Sequence, residues 1–141
     1  MTTQEILLMK CRFYSKEIWG KEYKGTLTFI ENDPCLGYFG IFANWKKTIE
    51  IDVRVLKHKY MVDTVILHEL CHWWCYINKL GWDDEDKDFL KECKKVGDKI
   101  VYTEYKRFVP TKKVRQIVNK FERSLRCQEV SWTQAVFVPD V

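Results

Sequence analysis

Apolar residues recur along the chain at two spacings, and each switch between them marks a new element. From Thr3 to Trp19, Ile6, Leu7, Met9, Phe13, Tyr14 and Ile18 fall at helical spacings, and Gly20 follows as a stop, so an opening helix is expected. Thr26 to Ile30 is a short β-prone run ended by the turn-like Asn32-Asp33-Pro34. Leu36 to Phe42 sets Gly37 and Gly40 among large apolar residues, which predicts a strand with a bulge or a close backbone approach. From Thr48 to Val55, Ile49, Ile51, Val53 and Val55 alternate with polar residues, the period of a half-buried strand. Three successive strands predict a small antiparallel or mixed sheet whose apolar face must be covered.

The expected cover is a helix from Tyr60 to Leu80, rich in Val, Ile, Leu and Trp and stopped by Gly81. An acidic loop from Trp82 to Asp88 leads into a second helical pattern through Phe89, Leu90 and Val96, which ends at Gly97. Ile100 to Phe108 reads as a strand. After Pro110 and Thr111, a regular 3.6-residue stripe of Val114, Ile117, Val118, Phe121 and Leu125 predicts another helix, and Trp132 to Val138 is a last strand candidate. The class is therefore α+β.

Composition narrows this picture. With 141 residues, 46% hydrophobic and 15% aromatic, the chain has the size and apolar content of a single domain, residues 1–141. The start, MTTQEILLMK, lacks a basic lead and a long apolar core, so it does not read as a secretory leader. The richest apolar stretch, Tyr60 to Leu80, is interrupted by Asp63, His68, Glu69 and His72 and does not supply the ~20 apolar residues of a membrane span. Six cysteines without a CxxC pair fit reduced thiols rather than a disulfide scaffold or a cysteine-ligated zinc module. A soluble cytoplasmic protein is expected. Charge is uneven: residues 1–90 carry net −2, whereas residues 91–141 carry net +6.

The chemistry centres on His68-Glu69-Leu70-Cys71-His72. Histidines four apart on a helix lie one turn apart on one face, so both imidazoles can reach a single zinc ion at ~2.0–2.1 Å. Glu69, offset by one position, borders the metal without ligating it and can take a proton from the water that the metal acidifies. This pattern arises by chance on the order of once in a few hundred chains of this size, so its helical setting adds weight. A catalytic zinc site needs a third protein ligand and an open position. Asp83, Asp84, Glu85, Asp86 and Asp88 crowd the turn after Gly81 and make a carboxylate the natural supply; His58 and Cys75 are further candidates.

The segment from Leu36 to Gly97 resembles the SprT-like metalloproteases, relatives of the DNA-protein crosslink protease Spartan. The resemblance rests on Ile66-Leu67-His68-Glu69-Leu70-Cys71-His72, Gly81-Trp82, Asp86-Lys87-Asp88-Phe89 and Lys94-Lys95-Val96-Gly97. It implies a zincin-like core over residues 1–97, a Zn²⁺ cofactor, a protein or peptide substrate, and Glu69 as general base. By the spacing of this resemblance the third-ligand position, a histidine in bacterial members, falls on Asp84, with Asp83 and Glu85 as alternatives. Many relatives end in a cysteine zinc ribbon, whereas Cys127 stands alone here. A basic extension over residues 98–141, with a helix and a strand, is expected in its place.

That helix sets Lys112, Lys113, Arg115, Lys120, Arg123 and Arg126 opposite its apolar stripe. Such a face fits phosphate contact and equally fits solvation, and only the resemblance to crosslink proteases favours DNA. Two functions are thus carried forward: a zinc endopeptidase acting on proteins, DNA-bound ones among them, or a nucleic-acid-binding accessory module with a weak or inactive metal site. Trp73, Trp74, Cys71 and Cys75 are expected mainly to pack the core.

Overall fold

The computed structural model describes residues 1–32, 34–42, 45–58, 60–98 and 109–127. The strands expected at Ile100 to Phe108 and Trp132 to Val138 lie outside the described residues.

The opening helix α1 spans Thr3–Trp19. Its start is held by Thr2, whose Oγ1 accepts the backbone N–H of Glu5 at 3.1 Å. Its end is Gly20 in the left-handed region, which only glycine enters without cost. Three strands follow, β1 (Thr26–Ile30), β2 (Gly37–Phe42) and β3 (Lys46–Asp52). They form one mixed sheet in the order β1-β3-β2, with β1 parallel and β2 antiparallel to β3.

The register sets Leu27, Ile49 and Phe39 side by side, with Ile51 two residues along the same face, and these four are buried. The opposite face carries Thr26 and Thr48, whose hydroxyls hydrogen-bond at 2.7 Å. β2 runs in unbroken register from Gly37 to Phe42, so the bulge allowed by its glycines is absent and the close approach is what they serve. A Cβ on Gly37 would lie 2.6 Å from Val65 Cγ1.

The alternation through Val55 does not continue as a strand. β3 starts two residues earlier than expected and stops at Asp52, and Val53–Lys57 winds into a 3₁₀ turn. Asp52 is the cause: its buried carboxylate accepts the backbone N–H of Arg54 at 2.9 Å and also holds the Arg54 guanidinium. The covering helix α2, Met61–Ile77, is shorter at its C-terminal end than the apolar run suggested, and its face with Val65 lies on the sheet. α3 (Lys87–Val96) and α4 (Lys112–Cys127) complete the described elements. Thr111 ties these two together, donating to Gly97 O at 2.9 Å while accepting from Val114 N at 3.3 Å.

The described residues therefore make an α+β fold of four helices and a three-stranded mixed sheet. Val114, Val118, Phe121 and Leu125 of α4 share the apolar core of α1, α2 and the sheet. Phe121 packs edge-on against both Phe13 and Tyr14. Trp73 is buried against Tyr23 and Trp19, and Trp74 stacks on Trp19, so both serve the core. Cys71 and Cys75 are buried free thiols, and burial pushes the Cys71 thiol up. No helix among the described residues is long and apolar enough to cross a membrane.

Candidate metal centre

His68, Glu69 and His72 sit in the middle of α2, where the helix faces a cleft of about 680 Å³. β2 contributes Gly37, Tyr38 and Phe39 to its walls, the acidic loop contributes Trp82, Asp83 and Asp84, and α3 contributes Phe89, Leu90 and Cys93. The two imidazoles are 5.0 Å apart between ring centroids.

Each ring is fixed through Nδ1. His68 Nδ1 meets the Asp98 carboxylate at 2.5 Å, and His72 Nδ1 meets the Trp82 carbonyl at 2.5 Å. Phe89 stacks on His72 with centroids 3.8 Å apart and stands edge-on to His68. These contacts leave both Nε2 atoms turned toward one point, where Asp84 Oδ1 lies 3.0 Å from His72 Nε2 and 3.7 Å from His68 Nε2. Ligands held tetrahedrally at ~2.0–2.1 Å lie about 3.3 Å apart, so these separations fit one small cation. Glu69 is buried beside them, with Oε1 3.9 Å from His72 Nε2.

The acidic loop delivers Asp84 by spending its other carboxylates on itself. Asp86 accepts the N–H of Asp83 at 2.9 Å, and Asp88 accepts that of Gly81 at 3.3 Å. Trp82 anchors the loop edge-on to Phe39 and Tyr76. Among the described residues, the side-chain groups compact enough to share one cation are His68, Glu69 and His72, and His68, Cys93 and Asp98; Asp84 Oδ1 approaches both imidazoles from the exposed loop, whereas no ion pair among the described residues brings Asp83 or Glu85 to them.

Asp98 and Phe89 have roles that sequence reasoning did not assign. Gly97 ends α3 in the left-handed region and the N–H of Asp98 then bonds to Cys93 O at 3.0 Å, which turns the Asp98 carboxylate back under His68. A glycine stop followed directly by an aspartate was the only sequence signal. Burial works against a charged His68, yet the Asp98 hydrogen bond, the Cys93 thiol and the charges of Glu69 and Asp98 outweigh it and push its pKa up to about 11. His72 shifts the other way: burial lowers its pKa, as does the neighbouring His68, against the pull of the Trp82 carbonyl and Asp84. A carboxylate behind a ligating imidazole orients the ring and raises its basicity. Asp98→Asn is therefore expected to weaken zinc binding roughly 10- to 100-fold in a chelator competition titration, with an unchanged far-UV spectrum. Unaltered affinity would remove this role.

The six basic residues expected on one helix face are all exposed on α4. Lys113 bonds to Lys94 O at 3.3 Å, Lys120 pairs with Glu17 at 3.5 Å, and Arg126 is also engaged within the chain.

An α+β chain with two imidazoles and a buried glutamate on its central helix has the residue set of a metal-dependent enzyme class. The SprT-like family model matches residues 9–113, and the chain belongs to the SprT-like family. No curated protein and no solved structure gives a significant match.

Proposed function

We propose that the chain is a zinc-dependent endopeptidase with a zincin-like core, in which His68 Nε2, His72 Nε2 and Asp84 Oδ1 hold the metal. The observation that carries this reading is the approach of Asp84 Oδ1 to His72 Nε2 at 3.0 Å and to His68 Nε2 at 3.7 Å, separations that fit ligands of one tetrahedral cation, next to the buried carboxylate of Glu69. Zinc bound there would polarise a peptide carbonyl and let water act as a nucleophile near neutral pH. Glu69 accepts the proton of the attacking water and returns it to the leaving amine. Its burial keeps that proton from bulk solvent.

The cleft supports a peptide as substrate. Among the described residues β2 is an edge strand of the sheet and contributes Gly37 to Phe39 to the cleft wall, so an extended chain can add to it as a further strand. Tyr38, Phe39, Phe89 and Leu90 offer apolar contacts, while Asp83 and Asp84 bring negative charge, a combination suited to apolar and basic side chains.

Metal analysis of the purified, reduced protein is expected to give about one zinc per chain. Peptide hydrolysis should be abolished by chelation and restored by zinc, and His72→Ala should lose both metal and activity. Hydrolysis that persists in the chelated protein would overturn the proposal. Stoichiometric zinc without hydrolysis would favour the accessory-module reading.

A further inference from the structure

The wall of the metal cleft holds a pair of thiols that hydrolysis does not use. Cys71, on α2 directly before His72, and Cys93, on α3, are hydrogen-bonding neighbours where the two helices meet. Cys93 also stands beside His68: its Sγ, an imidazole nitrogen and an Asp98 oxygen all lie within 4.8 Å of one another.

Buried thiols are commonly inert packing, and Cys11 in the core is of that kind. The pair differs in its access. Cys71 is fully buried, whereas Cys93 lines the cleft and keeps 8% of its surface exposed. A small oxidant entering the cleft therefore meets Cys93 first, with Cys71 behind it.

We infer that Cys71 and Cys93 are a redox modification site, which hydrogen peroxide converts to a reversible disulfide. Cys93 sulfur attacks one peroxide oxygen and the O–O bond breaks; the hydroxide released takes the thiol proton and leaves as water, and Cys93 becomes a sulfenic acid. Cys71 sulfur then attacks Cys93 sulfur, the S–O bond breaks, and the hydroxyl departs with the Cys71 proton as a second water. Two thiols are oxidised to one disulfide while one peroxide is reduced to two waters. Contact between the two side chains makes the second step intramolecular, ahead of attack by any thiol in solution.

The consequence reaches the metal centre through α3. A covalent S–S bond is shorter than a contact between thiols, so its closure pulls Cys93 toward Cys71 and away from His68. Asp98 is carried with it, because its N–H bonds to Cys93 O at 3.0 Å while its carboxylate holds His68 Nδ1. Displacing the carboxylate behind a ligating imidazole costs ~10–100-fold in metal affinity. This effect rests on the proposed ligand set; formation of the cross-link does not.

The test treats the reduced full chain, supplied with an equivalent of zinc, with hydrogen peroxide, blocks the remaining thiols by alkylation and maps the unreduced digest by mass. A peptide joining Cys71 to Cys93 is expected, lighter by two hydrogens than its separate parts and absent after dithiothreitol. Chelator competition should show zinc affinity at least ~10-fold lower in the oxidised chain and recovered on reduction. In Cys71→Ala, Cys93 should stop at the sulfenic acid, trapped by dimedone. The absence of a cross-link in the parent chain overturns the proposal, as does one joining Cys93 to Cys35, which lines the same cleft, or to Cys75, one turn along α2. A Cys71–Cys93 bridge that leaves zinc affinity unchanged would overturn its effect on the metal. A chain that takes up no zinc yet forms the bridge would sink the peptidase reading and uphold the redox site.

Discussion

Glu69→Gln is expected to lower peptide hydrolysis by ~10²–10⁴-fold while leaving one zinc per chain. The amide matches the carboxylate in size, so it fits the buried position beside Gly37 without moving α2. It does not accept a proton from the attacking water, and the amine then leaves without an acid. The imidazoles keep their partners, Asp98 and Trp82, because neither depends on Glu69. Turnover of a quenched-fluorescence peptide, measured beside metal content, separates loss of the base from loss of the site. A variant retaining zinc and full turnover would remove Glu69 from the mechanism.

The largest stability effect is expected away from the metal, at Asp63. Its Oδ1 accepts from Lys10 Nζ at 2.8 Å and from Tyr14 OH at 2.6 Å, and both members of the ion pair are almost fully buried. The Lys10 ammonium also lies 5.7 Å from the Phe121 ring centre, so α1, α2 and α4 meet at this cluster. Asp63→Ala strands a buried cation, at a cost of about 3–5 kcal/mol. Set against a total stability of roughly 5–15 kcal/mol, that is a fall in melting temperature of about 10–15 °C. Replacing the three polar residues together (Lys10→Met, Tyr14→Phe, Asp63→Leu) should recover most of it, since no charge is then left unpaired. Calorimetry of both variants checks this; an Asp63→Ala protein melting within 3 °C of the parent would refute the estimate.

The elements were legible wherever periodicity and stops agreed. Gly20 and Gly97 end helices because a left-handed residue is needed there, and α4 shows its buried stripe of Val114, Val118, Phe121 and Leu125 as its spacing predicts. The reading failed where a side chain bonds to its own backbone. Ile49 to Val55 alternates throughout, yet Asp52 captures the N–H of Arg54 and turns the chain three residues early. Sheet order was not legible either, because the pairing of β1 with β3 is set by what α2 covers and not by any local pattern. At the site, His68, Glu69 and His72 stood out because their spacing is itself the helical repeat. Asp84 needed a resemblance to single it out from four neighbouring acids. Asp98 lies 30 positions from His68, and only the docking of α3 against α2 brings them together.

The absence of a side chain at Gly37 has a further consequence. A Cβ there would lie within van der Waals overlap of Val65 and 3.3 Å from Glu69 Oε2. The backbone of β2 thus lies directly against the Val65 and Glu69 side chains of α2, and in the proposed peptidase this close packing would set how far a docked peptide's main chain stands from the base. Adding one methyl group would act as a shim: it would push the strand outward and misalign any scissile bond carried on it, although every polar group of the centre remained in place.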